Sequence, residues 1–196
     1  MIRWLYERML RNSLTVFPRH LCFMISEQDM VDAPEKIVEV TAWCVELGIG
    51  GITFHISSRD QAKIQASLPF IRRIASLAQL RLHYNDHREE MGRGPVVEVA
   101  IGKSGREEIT ECIREMAKEG IPPEKVNEDQ IESRLTFRYV PDLVIKTGGQ
   151  HLTDFLIWQS VYSELFFSDV NWKYFRRIDF LRALRDFQSR ERRFGG

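Results

Sequence analysis

The 196 residues carry 28 Lys+Arg against 28 Asp+Glu, so no global field favours a nucleic acid, and the length suits one domain with a proper core. Cys22, Cys44 and Cys112 are odd in number and scattered among apolar residues, which predicts reduced core thiols of a cytoplasmic protein rather than a disulfide framework. Neither a signal-peptide pattern nor an apolar run of ~20 residues is present, so no membrane-spanning helix is expected.

No internal repeat, low-complexity tract or linker divides the chain, and residues 1–196 read as one domain. Residues 1–15 place Ile2, Leu5, Tyr6, Met9, Leu10 and Leu14 at helical spacing with Arg3, Glu7, Arg8 and Arg11 between them. This is an amphipathic helix, expected to pack on its own domain or a partner, with peripheral contact at a membrane surface as the other reading. Residues 21–25 form an unbroken apolar run, the mark of a buried strand. Asp32-Ala33-Pro34-Glu35 then reads as a helix start, with Asp32 as N-cap. Ile37, Val40, Cys44 and Leu47 make that helix's buried stripe, and Gly48 ends it. Residues 49–56 are the next strand. Strand–helix–strand order predicts a parallel α/β sheet, whose ligands sit beyond the carboxyl ends of the strands. Two loops lie there: residues 26–29 and residues 57–60.

From Asp60 to about Leu77 the pattern is helical, with Ile64, Leu68, Ile71 and Ala75 on one face. Residues 80–84 form a short strand, and the polar run through Arg93-Gly94-Pro95 reads as loop. His83 and His87 flank Asp86 at a spacing that could hold a metal, but no further ligand cluster supports it, and a surface role is expected. Residues 96–101 are a strand, and Gly102-Lys103-Ser104-Gly105-Arg106 turns into a helix closed by Gly120. That turn lacks the spacing of a phosphate-binding Gly-x4-Gly-Lys loop. Val126, Ile131 and Leu135 suggest one more helix before a strand at residues 142–145. A glycine-rich turn, Lys146-Thr147-Gly148-Gly149-Gln150, follows, and apolar character resumes at Phe155-Leu156-Ile157-Trp158. Residues 177–196 combine a helix, with Ile178, Leu181, Leu184 and Phe187 on one face, and a basic tail. Arg193 and the backbone around Gly195 suit an anionic ligand, and the arginine- and glycine-rich end is expected to be used. The fold expected is one α/β domain with a mainly parallel central sheet of about six strands flanked by helices.

Pro141-Asp142-Leu143-Val144-Ile145-Lys146-Thr147-Gly148-Gly149, then Phe155-Leu156-Ile157-Trp158-Gln159-Ser160 and Tyr162-Ser163-Glu164-Leu165, resemble the C-terminal signature of the cis-prenyltransferases. That family includes undecaprenyl and dehydrodolichyl diphosphate synthases. Arg193-Phe194-Gly195 resembles its Arg-x-Gly tail, which the family is understood to reach across the dimer into a neighbour's active site. The family's grip on isopentenyl diphosphate is altered here. Lys146 replaces an arginine, one residue is missing after Gly149, His151 falls near a second arginine, and Thr153 falls at the serine. Glu164 matches a family carboxylate near the metal and the dimer boundary. Arg106 matches an arginine of the turn after residues 96–101, with loop fixation through a carboxylate as its other reading.

The departures lie near the other end. The family follows its first strand with Met-Asp-Gly-Asn, whose aspartate holds magnesium. Matched on Met24, that aspartate falls on Ile25, a side chain with no oxygen for a hard cation, so no catalytic residue is expected on this chain. The second loop resembles Phe-Ser-x-Glu-Asn with Ser57 kept, Arg59 for the glutamate and Asp60 for the asparagine. The segment between residues 84 and 96 is short where family enzymes wrap extra helix around a hydrocarbon tunnel. The resemblance therefore implies an accessory, catalytically deficient subunit of a heteromeric enzyme. Such subunits are of the Nogo-B receptor type in eukaryotes, and an archaeal two-gene arrangement would suit the short N-terminus. The partner, in a heterodimer or heterotetramer, would supply aspartate, magnesium and tunnel, and the complex would join isopentenyl diphosphate to an allylic diphosphate to make a glycosyl carrier lipid. Two alternatives stay open: a self-sufficient short-chain transferase using Glu27 or Asp29 for magnesium, and a non-enzymatic binder of isoprenoid phosphates or of protein.

Overall fold

Strand pairing organises the chain. In the computed structural model the described residues are 2–58, 60–84, 87–102, 104–135, 139–149 and 158–194. Helix α1 (Ile2–Ser13) leads to strand β1 (His20–Ser26), then helices α2 (Glu27–Asp32) and α3 (Lys36–Glu46) and strand β2 (Gly51–Ser57). Short helices α4 (Gln61–Ile64) and α5 (Leu68–Arg72) precede β3 (Gln79–Tyr84), β4 (His87–Met91) and β5 (Val96–Gly102). Helices α6 (Gly105–Lys118) and α7 (Glu128–Glu132), strands β6 (Leu143–Thr147) and β7 (Glu164–Ser168), and helix α8 (Arg177–Phe194) complete the order. The sheet runs β4-β3-β5-β2-β1-β6-β7. Only β4 is antiparallel to its neighbour.

The expected α/β class stands, with seven strands rather than about six. One unforeseen strand is β4, expected as loop. Its residues are charged, yet they pair antiparallel with β3 from Tyr84 opposite His87 to Leu80 opposite Met91, and Gly92 follows the strand at φ +83°. A Cβ on Gly92 would come within 2.2 Å of the Ala78 carbonyl, so the close approach needs glycine. The charge suits an edge: Arg72 forks onto Glu89 at 2.9 and 2.7 Å, and ionised side chains discourage a further strand from pairing. The other unforeseen strand, β7, is only half-buried.

Three helical expectations shift in detail. Asp32 ends α2 instead of capping α3, because Ser26 has already opened a helix by accepting the Asp29 N–H. The stretch after Asp60 is α4, a 3₁₀ turn, α5 and a second 3₁₀ turn rather than one helix, with Pro69 opening α5. The helix expected around Ile131 is confined to Glu128–Glu132.

The two faces of the sheet differ. Leu21, Phe23 and Ile25, Ile52, Phe54 and Ile56, and Val97, Val99 and Ile101 alternate onto one face. There they meet Ile37, Val40 and Cys44 of α3, Trp172, Phe175, and Phe180, Leu181, Leu184 and Phe187 of α8. The opposite face carries a small cluster of Cys22, Met24, Ala100 and Val144. The in-phase register puts His20, Thr53, His55 and Glu98 on that same face. All three cysteines are buried free thiols. Helix α1 packs on α8 and buries Leu10, but leaves Trp4, Leu5 and Met9 more than half exposed. Among the described residues no helix is long and apolar enough to cross a membrane.

Candidate functional site

Parallel register sets Ser26, Ser57 and Gly102 side by side at the carboxyl ends of β1, β2 and β5. A pocket of about 460 Å³ opens there, where parallel α/β sheets place their ligands. It includes Ser58, Glu27, Lys63, Ser104 and Lys146. Lys146 stands at its rim from β6, with its ammonium donating to the Thr147 carbonyl at 3.1 Å.

The pocket's carboxylates are already engaged. Ser26 donates its hydroxyl to Asp29 Oδ2 at 2.6 Å and accepts the Asp29 N–H at 3.1 Å. Glu27 reaches across the mouth and accepts from Ser58 Oγ at 2.8 Å, Lys63 Nζ at 3.0 Å and the Asp60 N–H at 3.3 Å. The Ser58 and Lys63 hydrogen bonds hold the Glu27 carboxyl below its ordinary range, and Glu27 in turn raises Lys63. Asp60 accepts the Ala62 N–H and caps α4, while Glu107 closes a capping box on Ser104.

Ile25, at the position matched to the family aspartate, is 1% exposed and belongs to the main core. Alternation turns it away from the Met24 side, and the strand's last polar atom at the pocket is the Ser26 hydroxyl. The donor set does not fit a hard divalent cation. Its first position is apolar, its second a neutral hydroxyl, and the neighbouring carboxylates are matched by donors within the chain. Among the described residues no group of three or more His, Cys, Asp or Glu is arranged for a metal, and Asp86, between His83 and His87, lies outside them.

Of the residues singled out in the sequence, the structure gathers Ser57, Asp60 and Lys146 at this pocket. Arg106 lies exposed on the first turn of α6, and its side chain makes no ion pair among the described residues, which leaves its loop-fixing reading without a carboxylate. Glu164 stands at the amino end of β7 opposite Leu143, about 16 Å of strand away from the pocket end. Its carboxylate takes Arg190 of α8 at 2.7 Å, so within one chain it braces a helix. His151, Thr153, Gly195 and the Arg193 side chain lie outside the described residues. Sequence reasoning missed Lys63. Its one local signal is its place three residues after Asp60, at the helix that follows the β2 loop.

The fold and pocket define an α/β protein with a polar, anion-sized cleft at the carboxyl edge of its sheet. The chain belongs to the cis-prenyltransferase family: the family model described as "Putative undecaprenyl diphosphate synthase" matches residues 70–195. The chain is 32% identical to an isoprenyl transferase of Thermus thermophilus, covering 98% of this chain and 95% of the relative. It is also 32% identical to a tritrans,polycis-undecaprenyl-diphosphate synthase (geranylgeranyl-diphosphate specific) of Methanopyrus kandleri, over 82% of this chain and 73% of that one. The Thermus alignment spans 249 positions against 196 residues, so that relative carries stretches with no counterpart here. In fold, the chain is similar to the lavandulyl diphosphate synthase of Lavandula x intermedia, with a TM-score of 0.68 at 19% identity, over 88% of this chain and 95% of that one.

Proposed function

We propose that this chain is the catalytically deficient, accessory subunit of a heteromeric cis-prenyltransferase of the Nogo-B receptor type. It works beside a catalytic subunit that supplies the metal-holding aspartate, the magnesium and the hydrocarbon tunnel. The observation that carries this reading is the end of β1. Ile25, which the match on Met24 sets at the family's aspartate, is sunk in the core, and Glu27, the next carboxylate, is engaged by Lys63 and Ser58. A diphosphate leaving group without a cation loses several kcal/mol of charge stabilisation. The apolar face of the sheet supports the same reading. Phe23, Phe54, Trp172, Phe175 and Phe180 fill it with fully buried rings, where a growing prenyl chain would need open apolar space. The chain's contribution is then its Arg193-Phe194-Gly195 tail, delivered to isopentenyl diphosphate bound by the partner. Exposed Trp4, Leu5 and Met9 on α1 support peripheral contact with the membrane that receives the lipid product.

A second reading has its own support. It is a self-sufficient transferase that uses Glu27 or Asp29 for magnesium, and the relatives described above all carry synthase or transferase names. On the names of the relatives alone, it stands better than the first. Incorporation of labelled isopentenyl diphosphate by this chain, by a catalytic homologue, and by both together separates the two. The accessory reading expects no turnover alone and stimulation on mixing. Magnesium-dependent turnover by the chain alone, abolished in Glu27→Ala, establishes the second reading and ends the first. Within the complex, Arg193→Ala is expected to lower turnover ~10²-fold while the two chains still co-elute.

A further inference from the structure

Glu27 gathers three donors of different chemistry: a hydroxyl from Ser58, a backbone N–H from Asp60 and an ammonium from Lys63. All three come from the segment after β2, whereas the carboxylate comes from α2. Hydroxyl, amide and ammonium converging on one pair of oxygens is the donor set that holds a phosphate group. Around it lies a pocket of about 460 Å³ with Lys146 as a second cation. Of the other carboxylates nearby, Asp60 caps α4 and stands 4.0 Å from Lys63 Nζ, Asp29 holds Ser26, and Glu107 holds Ser104. Among the described residues Glu27 is the carboxylate that accepts a hydrogen bond from all three of these donors.

We propose that Glu27 is a built-in counter-anion that fills the phosphate subsite formed by Ser58, the Asp60 N–H and Lys63, so that the pocket accepts a diphosphate group only once this carboxylate is displaced or neutralised. The inference rests on the reading of this pocket as one that keeps the family's place but not its chemistry. It adds what a diphosphate group would have to displace there. A diphosphate approaching the donors meets a like charge already paired with them, and must both break the Lys63 bridge and face the displaced carboxylate. Neutralising the side chain removes both obstacles and leaves the donors in position.

Isothermal titration of the full chain with inorganic pyrophosphate, without magnesium at neutral pH, tests this independently of any turnover. Glu27→Gln is expected to bind at least ~10-fold more tightly than the wild type, and Glu27→Gln/Lys63→Ala to lose that gain. Dimethylallyl diphosphate, titrated in parallel, is expected to show the same gain, because the donors grip the diphosphate and not the hydrocarbon. A folded Glu27→Gln that binds no better than the wild type overturns the proposal, as does a gain that survives removal of Lys63. Should Glu27→Gln fail to fold, Lys63→Ala in the wild-type background gives the answer. It is expected to leave pyrophosphate binding unchanged, since the donor is already taken, and a loss of binding there overturns the proposal. Failure of the accessory reading would show as turnover by the chain alone and would leave these affinities untouched.

Discussion

The two faces of the central sheet are made by the same strands and are held by different forces. On one face, Phe23 packs against Phe54 at 5.3 Å and Phe180 at 6.0 Å, and Trp172 adds its ring at 6.2 Å from Phe23. This face gains from apolar area removed from water, about 25 cal/mol per Å², and no protonation change within it is available. On the other face His20, Thr53, His55 and Glu98 are buried beside a cluster that, among the described residues, holds Cys22, Met24, Ala100 and Val144 with Leu165 partly buried against it. Parallel sheets are ordinarily apolar on both sides, so each polar group here needs its own partner. His20 has Thr53 at 2.7 Å and stacks on Tyr139. Glu98 Oε2 has no hydrogen-bond partner among the described residues, and Arg81 stands 3.9 Å from its other oxygen. One face is robust and featureless to pH, while the other is conditional.

The comparison can be broken at its strong side first. Trp172→Ala removes a fully buried ring and leaves the Ala33 carbonyl, its hydrogen-bond acceptor at 3.2 Å, without that donor. The expected loss is about 3–5 kcal/mol, read as a fall in the urea midpoint with the slope unchanged, and the same at pH 7 and pH 5.

The conditional face is sharpened by acid. Burial lowers His20 to about 4, against an unfolded value near 6.5, with Asp142 opposing only in part. Between these values the unfolded chain binds the extra proton. The stability from neutral His20 is therefore complete above about pH 6.5 and is lost as pH falls toward 4. The wild type is expected to lose about 3 kcal/mol over that window from this group, and His20→Gln to lose correspondingly less. Urea titrations at pH 7 and pH 4.5 decide it, and equal pH slopes for the two proteins would remove His20 from the account.

The smallest effect concerns Glu98. Burial raises its carboxyl, so the folded state prefers the neutral form, and stability falls as pH rises through the raised value. Glu98→Gln keeps the shape without the charge. It is expected to equal or exceed the wild type by up to about 1 kcal/mol at pH 7, and to match it near pH 4. Thermal melts at the two pH values check the sign.

Much of this fold is legible in the sequence. Residues 21–25 and 143–145 are apolar without interruption, residues 96–101 are broken only by Glu98, and such runs have little choice but to become buried strands. The stripes of α3 and α8 were equally plain, since Ile37, Val40 and Cys44, and Ile178, Leu181, Leu184 and Phe187, repeat at helical spacing. β4 was not legible. His87-Arg88-Glu89-Glu90-Met91 carries no strand pattern, and it becomes a strand only by pairing antiparallel with β3. The α2 helix was likewise hidden, because its cap, Ser26, is also the last residue of a strand.

The site divides the same way. Composition at one position was enough to see that Ile25 offers a cation nothing, since an absent oxygen needs no geometry to be recognised. That Glu27 is spent on Ser58 and Lys63 could not be read, because those partners lie 31 and 36 residues further along. Local pattern fixes which side chains are greasy or charged and how they repeat, and so determines strands, helix faces and family. Pairing between distant charges depends on where the sheet's register brings chain segments together, and only the folded structure sets that.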